Sequence, residues 1–293
     1  MKGNKKIKIS PNLVIVLMIF ATFLICFWGI GEIKTKELNH NIYINTDGIE
    51  FHDSEEKVLE DVPRPKSYNF SMPIFMYHFI LDDYGDATDS ENYVSPKKLE
   101  EQFKYIVENG YETVYITDID KLYKYTKPVA LTFDDCFVYF YNNAFPLLKK
   151  YNLKASIYII TNYINGPNYL TTEQLKEINE SGLVDIQSHS VSHRYLSRLT
   201  PEESKKEIVD SKQVLKELLD VDSTVFCYPI GDYNKAVVDF VKENYDYGLN
   251  MLGGIYHSTM HSKYNIPRIY ANRSMPMSTF INYLKQTKVS ATW

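Results

Sequence analysis

The chain has 293 residues, 44% hydrophobic and 24% charged, with a net charge of −5 at neutral pH. That length and balance suit one sizeable domain with a real core plus an appendage. Without Lys2, Lys5, Lys6 and Lys8 the chain keeps 28 basic residues against 37 acidic ones. Such an acidic body argues against nucleic acid as its partner. Cys26, Cys136 and Cys227 show no spacing of a disulfide framework or zinc cluster, so buried thiols are expected rather than a Cys136–Cys227 bridge.

Residues 1–10 are basic, and the first thirty residues contain no acid. Residues 13–30 are almost unbroken apolar, close to the ~20 residues that cross a bilayer. Lysines before the run predict a cytoplasmic tail (1–10), an uncleaved transmembrane anchor (11–30) and a body outside the cell, a single-pass membrane protein. Gly29-Ile30-Gly31 is a poor cleavage site, which disfavours a removed signal peptide. Residues 31–70 are polar and acidic, with Pro63 and Pro65, and are read as an extracellular linker.

The pattern changes at Ser71, and residues 71–293 are read as the catalytic domain. Strands are expected to start near Pro73, Tyr111, Val129, Ala155, Leu183, Thr224, Tyr247 and Ile266, with helices between them. Ser95-Pro96 opens a helix that stops at Gly110. Thr200-Pro201-Glu202-Glu203 is a capping box for the longest one, an amphipathic run to Leu219. Alternating strands and helices predict an α/β fold, a distorted (β/α) barrel of seven or eight units. No glycine-rich phosphate loop follows the first strand, which disfavours an open doubly wound sheet. In a barrel, all strand C-termini share one face.

That face collects the chemistry. Val129 to Phe133 is a buried-strand run that ends in Asp134-Asp135, two acids that need a positive partner. His78 ends the first strand, His189-Ser190-Val191-Ser192-His193 follows the fifth, and Cys227-Tyr228-Pro229-Ile230-Gly231 follows the sixth. Each signal alone is weak. A lone strand-end histidine usually has a structural role, and an Asp-Asp pair is usually a turn or a cap. Their conjunction points to a divalent metal. His257-Ser258-Thr259-Met260-His261 repeats the His-x-x-x-His spacing without an adjacent carboxylate, so a surface or substrate-loop role is expected for it. Tyr139, Tyr141, Met275 and Met277 suit a sugar groove or helix packing equally.

Thr132-Phe133-Asp134-Asp135 and His189-Ser190-Val191-Ser192-His193 resemble the first two motifs of the polysaccharide deacetylase family, the NodB-homology carbohydrate esterases. Met76-Tyr77-His78, Tyr228-Pro229-Ile230-Gly231 and Pro267-Arg268-Ile269 are similar to the branch that acts on poly-β-1,6-N-acetyl-D-glucosamine, a biofilm polysaccharide. The resemblance implies that Asp135, His189 and His193 ligate a divalent metal, zinc first among the candidates. It makes Asp134 the base toward a water at the metal, and His78 the acid toward the departing amine. Residues 228–231 would supply substrate and oxyanion contacts. Cys227 stands where most members carry the arginine that fixes the catalytic aspartate, so Arg268 is expected to take that role from another strand. The implied activity is N-deacetylation of a surface polysaccharide. Peptidoglycan or chitin deacetylation, xylan O-acetyl esterase activity and non-catalytic carbohydrate binding are the rivals.

Overall fold

A computed structural model of the chain describes residues 62–82, 91–135 and 137–293. The expected tail, anchor and residues 31–61 of the linker lie outside these residues, as do Cys26 and Cys136. Among the described residues, no helix is long and apolar enough to cross a membrane.

The strands are β1 (Ser67–Met72), β2 (Ile74–Tyr77), β3 (Phe79–Ile80), β4 (Tyr93–Val94), β5 (Glu112–Thr113), β6 (Pro128–Phe133), β7 (Ala155–Ile159), β8 (Val184–Ser188), β9 (Val225–Cys227), β10 (Tyr247–Leu249), β11 (Tyr256–His257), β12 (Ile269–Tyr270) and β13 (Lys288–Thr292). The helices are α1 (Pro96–Glu108), α2 (Phe145–Tyr151), α3 (Thr172–Glu180), α4 (Pro201–Leu219), α5 (Lys235–Asn244) and α6 (Met277–Leu284). A curled parallel sheet runs β10-β9-β8-β7-β6-β2-β12, with β5 beside β6. The curl brings Leu249 and Ile266 into a parallel bridge. This agrees with the expected distorted (β/α) barrel.

Strand periodicity sorts the side chains into two sets. Phe75, Tyr77, Val129, Leu131, Phe133, Ala155, Ile157, Val184 and Ile186 point outward and are buried against Leu99 and Phe103 of α1, Leu175 of α3, Leu215 of α4 and Phe280 of α6. Ile74, Ala130, Tyr158, Val225, Cys227 and Leu249 form the separate inner cluster. With both faces covered, the strands read as continuous apolar runs.

The helix ends match the chemistry of their caps. Thr200 accepts from Glu203 N–H, and Glu203 returns a bond to Thr200 N–H. Ser95 accepts from Lys98 N–H, and α1 ends before Gly110, whose φ of 68° suits glycine. One expectation changes. Strand structure begins at Ser67, inside the expected linker, where β1 pairs antiparallel with β11 and β13 in a separate three-stranded sheet. After Asp135, a Phe137–Tyr169 bridge precedes a helix that passes through a π-helical stretch, Phe140–Ala144, into α2.

One half-buried acid lies away from the strand-end cluster. Asp185 projects inward from β8 and accepts from the Gln187 amide at 2.8 Å on Oδ1, while Oδ2 has no partner. Burial pushes its carboxyl up to about 6 from the ordinary 3.8. The unfolded chain therefore ionises first, and stability falls as pH rises between those values. Asp185→Asn is expected to stabilise the fold by about 2–3 kcal/mol at pH 7.5 and by nothing at pH 3.5. Denaturant titration at the two pH values checks it, and an equal effect at both would contradict it.

Candidate metal and catalytic centre

The same two-residue period that fills the barrel also aims the polar groups. Ala130 and Thr132 project inward, and so does Asp134 one step beyond β6, held by its N–H on the Tyr77 carbonyl at 2.9 Å. His189 extends the inward series Asp185, Gln187 on β8, with its N–H on the Ile159 carbonyl at 2.9 Å. His78 continues Ile74 and Met76, and Cys227 follows Val225. Asp135 would point outward by parity, but its backbone turns left-handed there (φ 67°). Ser190 (φ 66°) and His193 (φ 57°) turn the same way in the next loop. Left-handed non-glycine residues cost free energy and persist where their surroundings over-determine them.

These turns bring three side chains together. Asp135 Oδ1 lies 3.5 Å from His189 Nε2 and 3.4 Å from His193 Nε2. The three ligand atoms lie within 4.8 Å of one another. Asp135 Oδ1 is buried and makes no hydrogen bond. His189 Nδ1 meets the Cys227 carbonyl at 2.8 Å, which fixes that nitrogen as the N–H and leaves Nε2 as the ligand atom. A carboxylate oxygen without a partner beside two Nε2 atoms fits a divalent metal, with Asp135, His189 and His193 as its ligands. The local field agrees. Burial alone would lower the His189 imidazole, yet Cys227, Asp135 and Asp134 hold it well above its ordinary value. That pocket favours a positive charge. The second imidazole is lowered, first by burial and then by His189. Burial opposes ionisation of Asp135, but the His189 imidazole beside it outweighs that and holds its carboxyl low.

Asp134 lies beside this group without belonging to it. Both its oxygens accept from Arg268, Nη1 to Oδ1 and Nη2 to Oδ2, each at 2.7 Å. The pair is fully buried. Arg268 also donates to Thr132 Oγ1 (3.2 Å), the Asn250 carbonyl (3.1 Å) and Cys227 Sγ (3.0 Å). Burial pushes Asp134 up, but the Arg268 charge and its paired hydrogen bonds hold the carboxyl well below the usual range. The structure thus sets Arg268 against Asp134 from the chain just before β12. Cys227 leaves room for the guanidinium and accepts from it.

A profile of the polysaccharide deacetylase family matches residues 123–249, which include Asp134, Asp135, His189 and His193 but neither His78 nor Arg268. YxkH of Bacillus subtilis (strain 168), a protein named for that family, is 31% identical over 223 residues, covering 74% of this chain and 77% of YxkH. This chain belongs to the polysaccharide deacetylase family. It is accordingly a hydrolase of the deacetylase class. The poly-β-1,6-N-acetyl-D-glucosamine N-deacetylase of Staphylococcus epidermidis is 31% identical over 164 residues, covering 49% of this chain and 54% of that enzyme. The Streptococcus pyogenes deacetylase PplD, solved with acetate, superposes with a TM-score of 0.69 at 29% identity, over 73% of this chain and 98% of PplD.

The remaining candidates of this deacetylase separate cleanly. His78 is buried, its Nδ1 has no partner, and its ring stands edge-on to Tyr270 at 5.9 Å. Burial lowers its imidazole, against the pull of Asp134 and Asp135. Tyr228 is buried among Phe226, Leu196 and Val237, and its hydroxyl donates to the Tyr264 carbonyl at 2.9 Å. Its side chain packs in that cluster with its hydroxyl engaged. Pro229, Ile230 and Gly231 form a tight turn in which Ile230 (φ 59°) and Gly231 (φ 66°) are both left-handed. A Cβ on Gly231 would come within 3.1 Å of Met251 Cβ, a tight contact, and its positive φ favours glycine there. His257 Nδ1 meets Ser71 Oγ at 2.7 Å, and His261 Nδ1 accepts from the His257 N–H at 3.0 Å. That pair ties its loop to β1 and joins no group of ligands among the described residues. Met275 is buried in the core, and Tyr141 and Met277 pack against it. Tyr139 packs near Phe79. Cys227 is a free, buried thiol.

Proposed function

We propose that the protein removes N-acetyl groups from N-acetylglucosamine units of a surface polysaccharide, with poly-β-1,6-N-acetyl-D-glucosamine as the substrate. The observation that carries this is the approach of Asp135, His189 and His193 beside an Asp134 clamped by Arg268. The S. epidermidis relative supports the glycan, and the acetate held by PplD is the product that such a reaction would release. The basic and apolar segments of residues 1–30 support a membrane-anchored enzyme that works on the outer surface of the cell.

Asp135, His189 and His193 would hold the metal, with zinc favoured by two imidazoles and one carboxylate. When bound, the metal would polarise the acetamide carbonyl and acidify water beside it. Asp134 takes the proton of the attacking water. Both its oxygens are engaged by Arg268, so it is a weak base that works only toward an acidified donor. Arg268 positions it. A backbone N–H in the Pro229–Gly231 turn faces charge that develops on the carbonyl oxygen. His78 supplies a proton to the departing amine. Burial keeps it neutral at rest, so the proton it gives the amine would be the one that Asp134 takes from the attacking water, which leaves Asp134 ionised again.

The products are acetate and a polymer amine, which is protonated at neutral pH. A neutral polymer becomes a polycation that adheres to anionic surfaces. Chelator-dialysed protein is expected to stop releasing acetate from defined β-1,6-linked N-acetylglucosamine oligomers and to recover on addition of zinc or cobalt. Metal-free protein with full activity would end the reading. Release only from peptidoglycan fragments, chitin oligomers or acetylated xylan would move the substrate, not the chemistry.

A further inference from the structure

The loop between the two imidazoles is held from outside the cluster of strand ends. Glu207 lies on α4, two turns beyond the Thr200 cap, and is 7% exposed. Its Oε2 accepts from the Val191 N–H at 3.0 Å and the Ser192 N–H at 2.8 Å. Its Oε1 accepts from the Ser192 hydroxyl. Val191 and Ser192 are two of the three residues between His189 and His193. The third, Ser190, accepts from the His193 N–H at 3.0 Å through its hydroxyl. On the opposite side, the Thr161 and Asn162 N–H groups donate to the Ser190 and Val191 carbonyls.

We propose that Glu207 is a positioning residue that sets the separation and aim of the His189 and His193 imidazoles. The inference rests on the metal reading above. Ser190 and His193 are both left-handed, a conformation that needs external support. Glu207 gives that support at the two peptide groups whose rotation would swing one imidazole relative to the other. All three partners are donors. Two of them are backbone N–H groups, which can only donate, and an ionised carboxylate oxygen accepts both more strongly than a neutral amide oxygen would. A loop anchor that merely stabilised the fold would serve equally well anywhere along 190–192. This one acts at the Ser190–Val191 and Val191–Ser192 peptide groups, between the two imidazoles.

Zinc affinity of full-length wild type, Glu207→Gln, Glu207→Asp and Glu207→Ala, measured by competition with a chromophoric chelator, tests this directly. The thermal midpoint of each metal-free protein is recorded alongside. Glu207→Gln is expected to weaken zinc binding about 10–100-fold, as loss of a partner that orients a ligand does. Glu207→Asp, which keeps the charge, is expected to recover part of that loss. Variants within twofold of wild type in affinity would overturn the inference, even if their midpoints fall, because the role would then be structural only. If Glu207→Ala does not fold, Glu207→Gln carries the result. A wild type that binds no zinc would overturn the metal reading as well, whereas tight wild-type binding with unchanged variants overturns this inference alone.

Discussion

Arg268→Ala is expected to destabilise the fold by about 3–5 kcal/mol and to lower kcat by at least about 100-fold. The stability loss follows from what remains. Asp134 is buried with both oxygens on the guanidinium, so removal of Arg268 strands a carboxylate in an apolar interior. The carboxyl, held low by Arg268 in the intact protein, would rise sharply and become protonated near neutrality. A protonated Asp134 cannot take a proton, so residual activity should shift to higher pH. The sign of the linkage is fixed by the same pair. In the intact protein the depressed Asp134 contributes stability above its unfolded value near 3.8, lost as pH falls below it. Arg268→Lys should fare little better, because one ammonium cannot reproduce two parallel bonds to Asp134 and further ones to Thr132, Asn250 and Cys227. The double variant Arg268→Met/Asp134→Asn separates the two effects. It should recover much of the stability and none of the activity. Chemical denaturation and acetate release with a pH profile provide the readouts. Wild-type activity and an unshifted profile in Arg268→Ala would remove Arg268 from the mechanism.

Much of this centre is legible in the sequence, for a mechanical reason. Asp134, Asp135 and His189 directly follow buried strands, and a parallel barrel gathers all such ends. Local sequence and topology therefore suffice to bring them together. Arg268 is legible only as the replacement for an arginine absent at Cys227. Its reach across to Asp134 depends on the curl that bridges Leu249 and Ile266. Glu207 is invisible at that level. It looks like one more acid on an amphipathic helix, and its role appears only when α4 packs beside β8. Tyr228 stands out in the sequence only by its motif position, and its packing against Phe226 appears only in the fold. The antiparallel β1–β13 pair also escapes. Lys288–Thr292 alternates between half-buried and exposed residues without a strong apolar signal, and β1 begins in a polar stretch.

His189→Ala is expected to abolish metal binding and acetate release, whereas His257→Ala leaves both intact. The two motifs have identical spacing, and in the sequence only the missing adjacent carboxylate sets the second below the first. Their surroundings separate them further. His189 has its Nδ1 fixed by the Cys227 carbonyl and its Nε2 3.5 Å from a carboxylate oxygen without another partner. His257 faces a serine hydroxyl, and His261 accepts from a backbone N–H. A cation needs anionic or lone-pair donors that converge, and only the first loop offers a carboxylate among them. Loss of a ligand should exceed the ~10–100-fold penalty for loss of a partner that orients one. Loss of the Ser71 contact should cost only about 1 kcal/mol of stability. Metal content of the two purified variants, read beside their acetate release, decides the matter. Metal retained in His189→Ala and missing from His257→Ala would relocate the centre to the β1–β11 edge and leave the Asp135 cluster without its function.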